Sequence, residues 1–152
     1  MRPAIHRILV ALDDSPHALE VLRNAHELAR QFSAQLLLFR AIDPDAPLVP
    51  SPSTELLPEE EESVARWDLD ALAKSVEPEC FAGVKVLIGH PWQAILQAAR
   101  EEQADLIVIG AHNYSLRERL LGTTASRVVN HADRPVLVVR RTPPSEAVSP
   151  AP

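Results

Sequence analysis

The chain has 152 residues, enough for one domain with its own core, and its 46% apolar and 24% charged residues are ordinary for a globular fold. Its formal net charge of -6 argues against a general nucleic-acid binder, and no apolar run approaches the roughly 20 residues a membrane span needs. Cys80 is the only cysteine, which leaves no intrachain disulfide framework and no cysteine zinc cluster.

The opening stretch MRPAIHRILVALDD passes from apolar residues straight into acids, without a small-residue cleavage site, so a cytoplasmic protein is expected. Within it, Ile5–Leu12 reads as a buried strand, stopped by Asp13-Asp14-Ser15. Ser15 and Pro16 offer a capping hydroxyl followed by proline at the first helical position. Leu19, Leu22, Ala25, Ala29 and Phe32 then recur at helical spacing, and Ala34–Ile42 is a second strand. The proline-crowded stretch over 43–58 predicts a long loop, followed by a helix over Pro58–Val76. The Glu59–Glu62 run suits the positive end of that helix's dipole better than it suits a cation.

Gly83–Gly89 is the third strand, and Pro91 opens a third helix with Trp92, Ile95, Leu96 and Ala99 on one face. Ala104–Gly110 is the fourth strand, Ala125, Val128, Val129 and Ala132 mark a helix after Gly122, and Arg134–Arg140 is the fifth strand. The polar, proline-rich end over 142–152 is expected to be a disordered tail, leaving one domain over 1–141.

Apolar strands alternating with helices predict an α/β fold, a doubly wound five-stranded parallel sheet with helices on both faces. Ligands in such sheets bind at the carboxyl ends of the strands, where the winding reverses. With strand order 3-2-1-4-5 that point lies between strands one and four. Asp13-Asp14-Ser15 then faces Gly110-Ala111-His112-Asn113. A phosphoacceptor receiver domain also has acids after strand one, but needs Asp ending strand three and Lys ending strand five. Ile88-Gly89-His90 and Arg140-Arg141-Thr142 stand there instead.

Four pieces, ILVALDDS, FRAIDP, GHPWQAI and GAH…LLGTTASRVVNHADRPVLVVR, resemble the universal stress protein family over about residues 4–141. The resemblance implies the sheet order 3-2-1-4-5 of an adenine-nucleotide-hydrolase-like fold. It also implies, for nucleotide-binding members, ATP held by the strand-one Asp, a strand-two residue and a G-x2-G-x9-G-[ST] motif. Residue by residue, Asp13 matches the acid, Ala41 the position beside the base, Gly110 the first glycine, and Gly122 and Thr123 the last two motif positions. The middle glycine does not match. Either Asn113 replaces it with a deletion beyond, or the glycine itself is deleted and Asn113 lies just past it.

Asn tolerates the left-handed backbone, but a Cβ obstructs close approach of N–H groups to a phosphate. Gly122-Thr123-Thr124 at a helix start favours an anion, and equally caps a helix that binds nothing. Arg117 and Arg119 read either as phosphate charge or as a solvated loop face, and Asp13 either as a ligand group or as a cap with Ser15.

His112 sits in the cleft loop without an evident nucleophile partner. The six histidines show no paired spacing beside carboxylates, so neither metal nor catalytic triad is expected. The expected function is a cytoplasmic stress-response regulator or scaffold without turnover. The alternative is a sensor that binds ATP or AMP through Asp13, Ala41, Gly110, His112, Asn113, Gly122, Thr123 and Thr124, with slow ATPase activity as its extension. Lys85 blunts one sheet edge, whereas Val136, Leu137, Val138 and Val139 leave the other uncharged; the resemblance implies a homodimer through that last strand.

Overall fold

Among the residues described by the computed structural model (5–45, 56–111 and 121–141), five strands and four α-helices alternate. They are β1 (Arg7–Ala11), α1 (Ala18–Phe32), β2 (Gln35–Ile42), α2 (Pro58–Ala73), β3 (Phe81–Ile88), α3 (Pro91–Glu101), β4 (Leu106–Gly110), α4 (Thr123–His131) and β5 (Val136–Val139). A 3-10 turn, Pro78–Cys80, leads into β3. The sheet is parallel throughout, in the expected order β3-β2-β1-β4-β5.

The strands are apolar at almost every position because both faces are covered. Ile8, Val10, Leu36, Leu38, Leu106 and Val108 point to one layer, where they meet α1 and α2 residues such as Leu22, Ala25 and Leu69. Leu9, Leu37, Phe39, Ile107 and Ile109 point to the other, against Ile95, Ala98, Ala125 and Val128 of α3 and α4. Alternation at period two thus divides one apolar run between two cores.

Four local expectations are corrected. Helix α1 starts at Ala18, with His17 as its cap residue, because the Ser15 hydroxyl and N–H both turn back to Asp13 Oδ1. Its inward residues are Ala18, Val21, Leu22, Ala25 and Ala29. Leu19 and Phe32 are 39% and 45% exposed: Leu19 is rotated about 100° from Ala18 onto the flank, and Phe32 closes the final turn at the surface. On α4, Val128 takes the core position and Val129 is exposed. Strand β3 begins at Phe81, before Gly83, because the register with β2 shifts between Leu36 and Leu37. Gly83 sits in that bulge at φ +147°, which a side chain would oppose.

Side chains fix the remaining corners. Glu60 Oε2 accepts the Leu57 N–H at 2.9 Å, so the acidic run does cap α2. Asp105 Oδ2 accepts the N–H groups of His6 and Arg7, both at 2.9 Å, and ties β1 to the start of β4. Arg134 Nη1 donates to the carbonyls of Ala99 (2.8 Å) and Ala104 (2.9 Å), at the end of α3 and the turn beyond it.

Candidate functional site

At the carboxyl ends of β1 and β4, where the winding reverses, the chain opens into a cleft of about 940 Å³. Asp13, Ala41, Gly110, Gly122, Thr123 and Thr124, expected at the site from the sequence, all line it. His112 and Asn113, with Arg117 and Arg119, lie outside the described residues. Val136–Val139 form β5, at the sheet edge and outside the cleft lining.

The strand-one side is a braced turn. Asp13 Oδ1 accepts the Ser15 N–H at 3.0 Å and the Ser15 hydroxyl. Arg40, rising from β2, donates through Nε to the Leu12 carbonyl and through Nη2 to the Asp13 carbonyl, both at 3.0 Å. Its Nη1 meets Asp68 Oδ2 of α2 at 3.2 Å. One guanidinium therefore fixes the backbone that carries Asp13 and joins it to α2. Sequence reasoning overlooked Arg40, although a cation inside the apolar run FRAI was a visible signal.

The strand-four side is set by close packing. A Cβ built at Gly110 would lie 3.1 Å from His17 Cδ2 and 3.1 Å from Val21 Cγ2, so glycine is what lets the start of α1 reach β4. His17, also missed, places Nε2 at 3.2 Å from the Val139 carbonyl and Nδ1 at 3.2 Å from Glu20 Oε2. Beyond β4, α4 begins at Thr123 with Gly122 in extended conformation (φ -61°, ψ 164°) and no side-chain cap.

Among the described residues, the charges around the cleft are unequally distributed. Asp13, Asp14, Asp43, Glu61 and Asp68 gather near β1, β2 and α2, against Arg40. The opposite wall carries the positive end of the α4 dipole. Hydroxyl donors suit the acidic wall, and an anion suits the α4 wall.

Two further clusters are present among the described residues, the first sharing Asp43 with the cleft. His90 places its ring nitrogens 3.7 Å from Asp43 Oδ1 and 3.6 Å from Asp45 Oδ2, at the exposed rim. His26, Glu77 and Cys80 meet beside a second cavity of about 360 Å³. Burial, then the carboxylates of Glu77 and Glu79, push the Cys80 thiol above its ordinary value of 9.0. The histidine spacing along the sequence concealed both groups, because each forms only when separate elements fold together.

The model of the universal stress protein family matches residues 4–140. The chain belongs to this family. Universal stress protein MJ0531 of Methanocaldococcus jannaschii is 33% identical over 142 residues, covering 89% of this chain and 82% of its own. Universal stress protein UspA from Lactobacillus plantarum has a similar structure, with a TM-score of 0.69 and 27% identity over 91% of this chain and 100% of that one. The universal stress protein from Archaeoglobus fulgidus in complex with dAMP matches with a TM-score of 0.58 and 26% identity, covering 90% and 98% of the two chains. The sheet is the adenine-nucleotide-hydrolase-like one that universal stress proteins share. No helix among the described residues is long and apolar enough to cross a membrane.

Proposed function

We propose that this universal stress protein is a regulator whose cleft binds an adenine nucleotide. Base and ribose lie toward Ala41 and Asp13, and phosphate lies at Gly122-Thr123-Thr124. The observation that carries this reading is the start of α4, which opens on the cleft with glycine as its cap residue. Serine or asparagine there would use the helix's own free N–H groups; glycine leaves them to a ligand anion. The acidic wall supplies acceptors for ribose hydroxyls, and the Archaeoglobus fulgidus relative in complex with dAMP supports the ligand class.

A second reading, a scaffold with a cleft that no longer takes nucleotide, is favoured by one contact. Packing against His17 and Val21 accounts for Gly110 without any phosphate. Denaturing the purified protein and assaying released nucleotide, then titrating ATP and AMP by calorimetry, separates the two. Nucleotide binding that Gly122→Val abolishes supports the sensor. No heat at millimolar ATP and AMP leaves the scaffold.

We also propose a homodimer through β5. Pro135 and Val139 turn their carbonyls inward to Ile107 and Ala111 of the β4 side, so strand alternation turns the backbone of Val136 and Val138 toward the open edge. An uncharged edge of this kind is a template for a second strand.

A further inference from the structure

We propose that His26, Glu77 and Cys80 form a binding site for a zinc-like divalent cation, separate from the nucleotide cleft. The three side chains come from two places in the chain. His26 lies midway along α1, whereas Glu77 and Cys80 flank the 3-10 turn before β3, closed by the Cys80 N–H on the Glu77 carbonyl at 2.8 Å. Their ligand atoms all lie within 4.8 Å of one another. Edges between ligands around a tetrahedral zinc are roughly 3.3–3.6 Å, given Zn–S near 2.3 Å and Zn–N near 2.0 Å. Drawing the ligand atoms together by at most about 1.5 Å brings them to those edges.

Donor chemistry and orientation point the same way. Thiolate, imidazole and carboxylate together select zinc over magnesium or calcium, which take oxygen ligands. Nε2 of His26 accepts the Glu77 N–H at a long 3.3 Å, so its lone pair faces the turn that carries the other two ligands, and a cation takes it by displacing that one weak hydrogen bond. Cys80 Sγ binds as thiolate, releasing its proton to solvent. The adjoining cavity of about 360 Å³, lined by Cys80, Glu77, Glu79, Arg30 and Ser33, has room for a water as fourth ligand. Arg30 now pairs with Glu77 Oε1 at 3.6 Å and with Glu27 Oε2 at 3.5 Å. A metal that takes Glu77 leaves Arg30 with Glu27, so no charge is stranded.

The test uses the metal-free full-length chain, titrated with Zn²⁺ and with Co²⁺. One equivalent should bind, and Co²⁺ should give the near-ultraviolet charge-transfer band of a thiolate ligand, which only Cys80 can supply. Cys80→Ser should remove the band and weaken zinc at least about tenfold; Glu77→Gln, at a half-exposed position, should weaken it comparably. Binding without the thiolate band would place the metal elsewhere, for example at Asp43, Asp45 and His90, and overturn the proposal. Unchanged zinc affinity in Glu77→Gln, or no binding at all, would overturn it as well.

Discussion

His17 Nε2 lies 3.2 Å from the carbonyl of Val139, the last residue of β5, which also accepts the Ala111 N–H at 2.9 Å. A side chain in the cleft wall is thereby tied to the edge strand, and Gly110 is the space through which its ring passes.

Gly110→Ala should lower stability by about 1–2 kcal/mol, because the new methyl meets two packed side chains at 3.1 Å. The loss should appear in urea denaturation with nucleotide absent, and should shrink in a Val21→Ala background, where one of the two contacts is gone. Equal losses in both backgrounds would remove Val21 from the explanation.

Arg40 makes three charge-assisted contacts with only 11% of its side chain exposed, so Arg40→Ala should cost about 2 kcal/mol. Arg40→Lys should recover less than half, since an ammonium cannot reproduce the planar fork. Chemical denaturation measures both, and a lysine variant as stable as the parent would refute the bracing role.

The proposed dimer is best tested through the backbone. The Val138 side chain packs against the α3–α4 core, so a charge there would disturb folding and pairing together. Val138→Pro removes an edge donor without touching the ladder to β4, a position where proline is tolerated. With Leu137→Lys, on the exposed side chain of the strand, it should yield folded monomers by light scattering. A dimer that persists in both variants would place the interface elsewhere.

Lys85 Nζ reaches Glu101 Oε2 at 2.7 Å and Glu102 Oε1 at 3.1 Å, folding the β3 edge onto the end of α3. The hydrogen bond to Glu101 raises Lys85 above 10.5, and the same bond, followed by Gln97, holds Glu101 below 4.5. A lowered carboxyl stabilises above its ordinary value and loses that contribution as pH falls through the folded one. A raised amine stabilises below 10.5 and loses its contribution as pH rises through the folded value. Lys85→Met should therefore lower the thermal midpoint by about 2 °C at neutral pH, with the gap closing in acid and narrowing in strong base. A gap independent of pH would show that the effect is packing alone.

Strand order, helix layers and the position of the cleft were legible because apolar runs and the Asp13 and Gly110 strand ends carry one-dimensional signals. Ser15 misled because a capping hydroxyl and an Asp-centred turn look alike until the acceptor is seen. Arg40, His17 and the His26–Glu77–Cys80 group act across separations that no local spacing encodes. Gly110 was legible as a required glycine, but its neighbours give that requirement a steric cause.

The two carbonyls held by Arg134 have a consequence for the strand that follows it. With Val136 only two residues away, β5 cannot slide along β4 without pulling the guanidinium from Ala99 and Ala104. A four-residue edge strand would otherwise be free to slip by one position, which would exchange its inner and outer faces. The anchoring arginine therefore works as an indexing pin, and any chain that docks along β5 meets the same row of outward backbone groups every time.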